Sequence, residues 1–414
     1  MQTPLTRYLA AATLARVSDA GSGVGFVLLA RATTGLSRPS LTGALLVTCL
    51  TAPHLLGPVL ARRLDRARDG RVLIAVVCAV YGVCLIASTL ALGRVSLWLV
   101  AVPAVLAGIC GPLLTGGLSS RLSGMVPPGE RSQRRALGFD SLSYGLSGTA
   151  GPALVAALAS VTDARVSMLV LGACAVLAGV LVRTLPGGGG AVPAGEVPSV
   201  WHTLRLIVTT GPLRRVTYAT MATALPGGAI AVIAVAYGDD LRVPPDTAAL
   251  LTAAFGLGYL LGSLVVTARP LLGEPERLVT AMAALVGAGY VVSALAPGFA
   301  VALVAFTLLG ALNAPLFTAT LAARQRYSPA GARAQVFVSM AALKVGAASA
   351  GTAAAGAATG WGARPLLLTG AALIVATAGV MVLDRRGRPT GGPVLMMDDE
   401  ARHAGSPSCE GQGR

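Results

Sequence analysis

Runs of apolar residues long enough to cross about 30 Å of hydrocarbon as helix, near 20 residues each, alternate along the chain with short polar breaks. They predict twelve spans, at about 8–31, 41–61, 71–92, 95–118, 137–161 and 164–184, then 215–237, 246–267, 277–297, 299–322, 334–358 and 364–383. The two sets of six echo each other. Cys110 to Arg121 runs beside Asn313 to Arg324, agreeing at Pro112/Pro315, Leu113/Leu316, Thr115/Thr318, Leu118/Leu321 and Arg121/Arg324. Ala44-Leu-Leu recurs as Ala249-Leu-Leu, and His54-Leu-Leu-Gly57 as Tyr259-Leu-Leu-Gly262. The offsets are 203 and 205 residues, so the pattern is a hydrophobic module duplicated in one orientation. Many secondary transporters place a site between two such halves.

The polar breaks carry the charge. Arginine clusters such as Arg62 to Arg71, Arg131 to Arg135, and Arg214 with Arg215 fall on one side of the twelve spans, while Arg31, Arg38, Arg94, Arg165, Arg242 and Arg364 fall on the other. By the positive-inside rule both termini are expected in the cytoplasm of a plasma-membrane protein. The chain is 54% hydrophobic and only 12% charged, which excludes an ordinary water-soluble protein. Its formal charge of +15 is spread between apolar runs rather than gathered on a solvated face, so no nucleic-acid partner is expected. Arg16 and Asp19 interrupt the first apolar stretch, which is therefore expected to stay as the first span rather than be cleaved. Four expected parts follow: residues 1–185 as one six-helix bundle, 186–213 as a cytoplasmic linker with a flexible Gly187–Pro198, 214–385 as the second bundle, and 386–414 as a disordered tail. Six cysteines without metal spacing read as packing residues.

The loop Ala61 to Arg71 resembles the G-x-L-x-D-R-x-G-R signature of the major facilitator superfamily. Ala61 replaces its first glycine, Arg63 its leucine, and Gly70 comes late; Asp65-Arg66 and Gly70-Arg71 survive. The resemblance covers residues 5–385 and implies an all-α membrane protein with two pseudo-symmetric six-helix bundles. It also implies a cytoplasmic gate in which Asp65, with Arg66, Gly70 and Arg71, faces the N-terminus of the eleventh helix, where the dipole favours a carboxylate. A plain positive-inside cluster would also explain the arginines. On the fifth span Gly145, Gly148, Gly151 and Pro152 are similar to a Gly/Pro motif of drug-exporting branches, and generic small-residue packing is the rival reading.

Ionisable residues at membrane depth are expensive and point to function. Asp19 and Arg16 lie three apart on the first span and are expected to touch, either as a coupling and substrate site or as a self-neutralised pair. Lys344 is the only lysine against 31 arginines, which suggests that a compact ammonium is wanted there, with chance as the alternative. His54 reads as a proton relay or as hydrogen-bonded packing. Asp140 is expected at the cytoplasmic gate beside Arg131 to Arg135, and Asn313 before Pro315 at the substrate or in interhelical bonding.

The sequence lacks an H-E-x-x-H and a G-x-x-x-x-G-K-[ST] loop, so neither an enzyme nor an ATP-driven pump is expected, and no metal or cofactor. The reading is a proton-coupled exporter of small organic molecules, monomeric in the bilayer. An uptake facilitator or symporter, and a non-transporting receptor or scaffold, are the alternatives.

Overall fold

The computed structural model describes residues 4–186 and 197–387. Among these are twelve long helices: α1 Pro4–Ala32, α2 Leu41–Arg66, α3 Gly70–Ala91, α4 Leu97–Met125, α5 Glu130–Val161 and α6 Ala164–Arg183. The second half holds α7 Gly211–Leu241, α8 Leu250–Ala268, α9 Pro275–Ala294, α10 Phe299–Tyr327, α11 Arg333–Ala357 and α12 Ala363–Gly387. Eleven of them are long and apolar enough to cross a membrane by length and composition. The exception is α1, and its polar residues explain why: Arg16, Ser18 and Ser22 are buried inside the first bundle instead of facing lipid.

Several helices run beyond the apolar count at one end. The fifth begins at Glu130 rather than 137 and the tenth continues to Tyr327. Backbone hydrogen bonding continues into arginine-rich turns whose long stems reach the polar edge, so hydropathy stops before the helix does. Starts are set by short polar caps: Asp69 Oδ1 accepts from the Arg71 N–H at 3.0 Å before α3, and Asp163 Oδ1 from the Val166 N–H at 2.7 Å before α6. Gly93, with φ of 80°, turns the chain after α3 where a Cβ would be strained.

Two helices are irregular near mid-membrane. Proline lacks an N–H and breaks the regular ladder. Accordingly, α2 tightens to 3₁₀ over Ala52–Leu56 around Pro53, and α4 widens to a π turn over Leu113–Gly117 after Pro112. The buried apolar side chains form two cores, one per half, and Phe317, Leu321, Phe337 and Val338 of the second half pack into the first core. Val76, Val83, Leu261, Val265 and Val304 are exposed and present an apolar outer face, as expected against lipid. The architecture is that of an all-α multi-pass membrane protein with two six-helix bundles.

Both described ends of the chain, Pro4 and Gly387, lie at one face, which is termed the linker face. The expected flexible link falls largely on residues 187–196, and the expected tail on 388–414, outside the described residues. Within the expected linker a helix, Val200–Thr209, forms under a Ser199 cap whose Oγ accepts from the His202 N–H at 3.1 Å.

Candidate functional site

Two clusters occupy mid-membrane depth, and they separate two residues expected to touch. Arg16 lies about 18 Å along α1, at 1.5 Å of rise per residue. It turns away from Asp19 toward α4 and α5: Nη1 donates to Asp140 Oδ1 at 2.8 Å and to Ser143 Oγ, and Nη2 donates to Ser119 Oγ at 2.9 Å. Asp140 is fully buried and also accepts from Tyr8 OH and from Ser119 Oγ, each at 2.7 Å. The expected Arg16–Asp19 pair is therefore replaced by an Arg16–Asp140 pair, in which hydroxyl groups meet both carboxylate oxygens and both terminal guanidinium nitrogens while Arg16 Nε stays unpartnered. Placing Asp140 at the gate with Arg131 to Arg135 is corrected for the same reason. Because α5 starts at Glu130, Asp140 lies about 15 Å inside the helix rather than near its end.

Asp19 faces the other way. Its Oδ1 accepts from Tyr81 OH at 3.3 Å and lies 4.0 Å from His54 Nε2. Ser22 Oγ joins the cluster, 3.0 Å from Tyr81 OH. The irregular turn of α2 holds His54 here, and Gly111 on α4 makes room, since a Cβ at that position would lie 2.7 Å from His54 Nε2. His54 is buried, with Nδ1 unpartnered. Beside it a cavity of about 240 Å³ opens between α2 and α11, lined by Thr51, His54, Leu55, Ala342, Val345 and Ser349 among others.

Lys344 and Asn313 are half-buried near the same depth in the second half. Lys344 Nζ rests 4.0 Å from the Phe317 ring centroid, Phe317 meets Tyr144 edge-on at 5.0 Å, and Arg16 lies over Tyr144 at 3.7 Å. A cation–ring–ring–cation stack thus crosses from α11 to α1. Asn313 Nδ2 donates to Leu309 O of its own helix at 2.8 Å, so that donor serves the backbone above Pro315.

At the linker face Asp65 ends α2 against the start of α11. Oδ1 accepts from the Ala334 N–H at 2.9 Å and Oδ2 from the Gln335 N–H at 3.0 Å. Two free helix-terminal N–H groups and the dipole thus meet one carboxylate. Gly70 leaves space for the Arg121 guanidinium, which would lie 2.1 Å from a Cβ there, and Arg121 Nη2 donates to Leu64 O at 2.8 Å. Arg71 binds Asp69 and donates to Leu185 O at 2.6 Å. Asp69 itself is held down to about 2 by the Arg71 hydrogen bonds. Arg66 is exposed and takes no part in this network.

The fifth-helix motif separates into three environments. A Cβ on Gly145 would meet the Tyr259 ring at 2.5 Å across the two halves, and one on Gly151 would meet Gly21 N and Val17 O of α1 at 2.8 Å. Gly148 faces open space, and Pro152 lies inside the helix.

The sequence marked Arg324 only as the repeat counterpart of Arg121. In the structure its side chain is 2% exposed, with Nε and Nη2 lacking hydrogen-bond partners. The repeat held a signal: Arg121, its counterpart, has Asp65 and Asp69 as electrostatic partners. The residues 203–205 positions beyond Asp65 are Ala268, Arg269 and Pro270, so that carboxylate has no copy. Among the described residues no group of three His, Cys, Asp or Glu side chains could hold a metal ion.

No family model matches the sequence, and no curated protein matches it. Solved structures superpose on the chain at low identity. A bacterial homologue of the iron transporter ferroportin, in an outward-facing state, superposes with a TM-score of 0.72 at 14% identity over 93% of this chain and 100% of its own. The human organic anion transporter MFSD10 gives 0.68 at 14% identity over 92% and 99%. The outward conformation of FucP, a major facilitator superfamily transporter from E. coli, gives 0.69 at 14% identity over 92% and 99%. The chain has the fold of major facilitator superfamily transporters.

Proposed function

We propose that the chain is a secondary active transporter that works by alternating access, exporting small organic molecules in exchange for protons. One observation carries the reading: the halves are pinned at the linker face while a cavity stands between them deeper in the membrane. The pins are Asp65 with α11, Arg134 Nη2 with Gly273 O at 2.9 Å, Gln325 with Gln133 at 2.8 Å, and Arg333 with Ser123 at 3.2 Å. Beyond them lies the cavity beside His54 and Asp19. Closure at one end with access further in is one half of an alternating cycle.

The coupling role falls to Asp19 with His54, where a carboxylate and an imidazole within 4.0 Å can share or exchange a proton. The helix that bears His54 also carries Asp65 near its end, so the gate and the proton site belong to one element. The arginine distribution supports a plasma-membrane orientation with the linker face and both termini on the cytoplasmic side. The export direction rests on the resemblance of Gly145 to Pro152 to exporter helices.

The test is reconstitution into liposomes with a chemically broad solute panel, with and without a proton gradient. At least one solute should accumulate under the gradient. Asp19→Asn should abolish gradient-driven accumulation while downhill exchange of the same solute continues. Correctly inserted protein that moves nothing faster than empty liposomes overturns the proposal.

A further inference from the structure

Where the two halves meet, the carboxylates and the cations do not balance. Asp140 is consumed by Arg16, Tyr8 and Ser119 inside the first half. Asp19 is turned to Tyr81 and His54, also inside the first half. Lys344 and Arg324, on adjacent helices of the second half, have no carboxylate within ion-pair distance among the described residues.

Each cation also lacks a substitute partner. Arg324 is nine-tenths buried and more, and two of its three nitrogens donate to nothing. An arginine cannot shed its proton to escape that cost. Lys344 has the Phe317 ring beneath it, a weaker neighbour than an anion, and the charge acting on it is that of Arg324, alike in sign. Two like charges held together out of water oppose folding unless something negative comes to them. The duplicated module shows a difference between the halves: Arg121 in the first half feels the charges of Asp65 and Asp69, although neither is within ion-pair distance, and donates to Leu64 O, whereas Arg324 has no carboxylate acting on it.

We propose that Lys344 and Arg324 form an anion-binding site at the interface of the two halves, and that the substrate is an organic anion whose apolar body lies against Phe317 and Tyr144. This rests on the transport reading above and names its substrate class. It rests on charges in this chain, since likeness of fold at 14% identity says nothing of cargo. Lys344 is half-buried and Arg324 fully buried, so an entering anion would meet the ammonium first and the planar donor after it.

The experiment uses full-length protein in nanodiscs of zwitterionic lipid and three probes of one shape: naphthalene-2-sulfonate, naphthalene-2-sulfonamide and 2-naphthylmethylammonium. The sulfonate should bind at least about tenfold more tightly than the other two, as a charge-assisted contact predicts. Lys344→Gln and Arg324→Gln should each weaken the sulfonate by roughly tenfold or more and leave the sulfonamide unchanged, and Lys344→Arg should retain most of the preference. Without probe, neither Gln variant should lower the unfolding temperature, because each removes an unpaired buried charge rather than a structural tie.

Sulfonate binding no tighter than sulfonamide binding, its absence included, overturns the proposal. So does sulfonate binding that survives both Gln substitutions. Proteoliposome flux separates the two readings. Lys344-dependent sulfonate binding without transport of any solute would defeat the transport reading and leave the anion site standing. Transport confined to neutral or cationic solutes would do the reverse.

Discussion

At the centre of the first half a buried arginine and a buried aspartate meet at 2.8 Å, ringed by Ser119, Ser143 and Tyr8. The second half has no such pair at its centre. Of its acids, Glu276 lies buried at the linker face, where it binds Arg215 and Arg385, each at 2.7 Å, and Asp384 binds Arg214 there at 2.7 Å, while Asp239 and Asp240 lie exposed at the far end of α7. That leaves Lys344 and Arg324 unmatched. The same six-helix plan has thus been given opposite electrostatics in its two copies. One half spends its central cation on holding helices together, and the other keeps its cations free. Buried pairs cost desolvation and return little net stability, but losing one member leaves the other stranded. The difference therefore predicts which substitutions unfold the protein and which leave its stability intact.

The largest expected effect breaks the paired half. Asp140→Asn leaves Arg16 buried without its counter-ion, and the loss should be about 3–5 kcal/mol, read as a fall in unfolding temperature in detergent or lipid. The double change Arg16→Met with Asp140→Leu should recover most of it. If the single and double variants are equally unstable, the pair is not what ties α1 to α5.

Next comes the close crossing beside that pair. Gly151→Val forces a side chain into Gly21 N and Val17 O, and overpacking of this kind costs about 1–3 kcal/mol. Gly148→Ala, facing open space on the same helix, should change the unfolding temperature little. Equal effects from the two would mean that the motif acts through helix propensity rather than contact.

A smaller effect is expected across the halves. Asp65→Asn keeps an acceptor but removes the charge from the α11 N-terminus, worth about 0.3–1 kcal/mol. The readout is cross-linking between cysteines placed at Ser123 and Arg333 in an otherwise cysteine-free chain, whose yield should fall as the linker face opens more often. An unchanged yield would assign the closure to the neighbouring pins.

The smallest effect lies outside the membrane. Asp69 is pulled down to about 2 when folded, below its usual value of about 4. The sign follows: its contribution is full above pH of about 4 and is lost as pH falls through about 2. Asp69→Asn, which still caps α3, should lower stability slightly at neutral pH and flatten the acid limb of the stability–pH curve, so that the two proteins converge as pH falls through about 2. No drop at neutral pH would show that the cap matters more than the Arg71 charge contact.

The span pattern and the duplication were legible because lipid imposes a long, redundant signal on every helix. The position of Asp65 was legible through a short motif. What the sequence hid were matters of depth and direction. Counting apolar residues began α5 at 137, so Asp140 read as an edge residue, whereas the helix starts at Glu130 and carries it to the middle. Residues three apart on α1 share a face, which made Arg16 and Asp19 look like partners. Yet Arg16 has hydroxyl and carboxylate acceptors on α4 and α5, and Asp19 has Tyr81 and His54. Arg324 read only as the counterpart of Arg121, because its missing partner is an absence that a sequence does not show.

Gln335 gives its N–H to Asp65, and its Oε1 accepts from Thr203 Oγ1 at 3.2 Å, so one residue fastens both the second helix and the linker helix to α11. Parting of the halves at this end must therefore tug on the linker helix, whose Trp201 stands 78% exposed. The other two tryptophans, Trp98 at the start of α4 and Trp361 just before α12, sit toward the opposite end of the molecule. With those two replaced by phenylalanine, the indole emission that remains comes from a single native fluorophore wired to the closure, and its colour and quenching would follow the cycle optically without an attached dye.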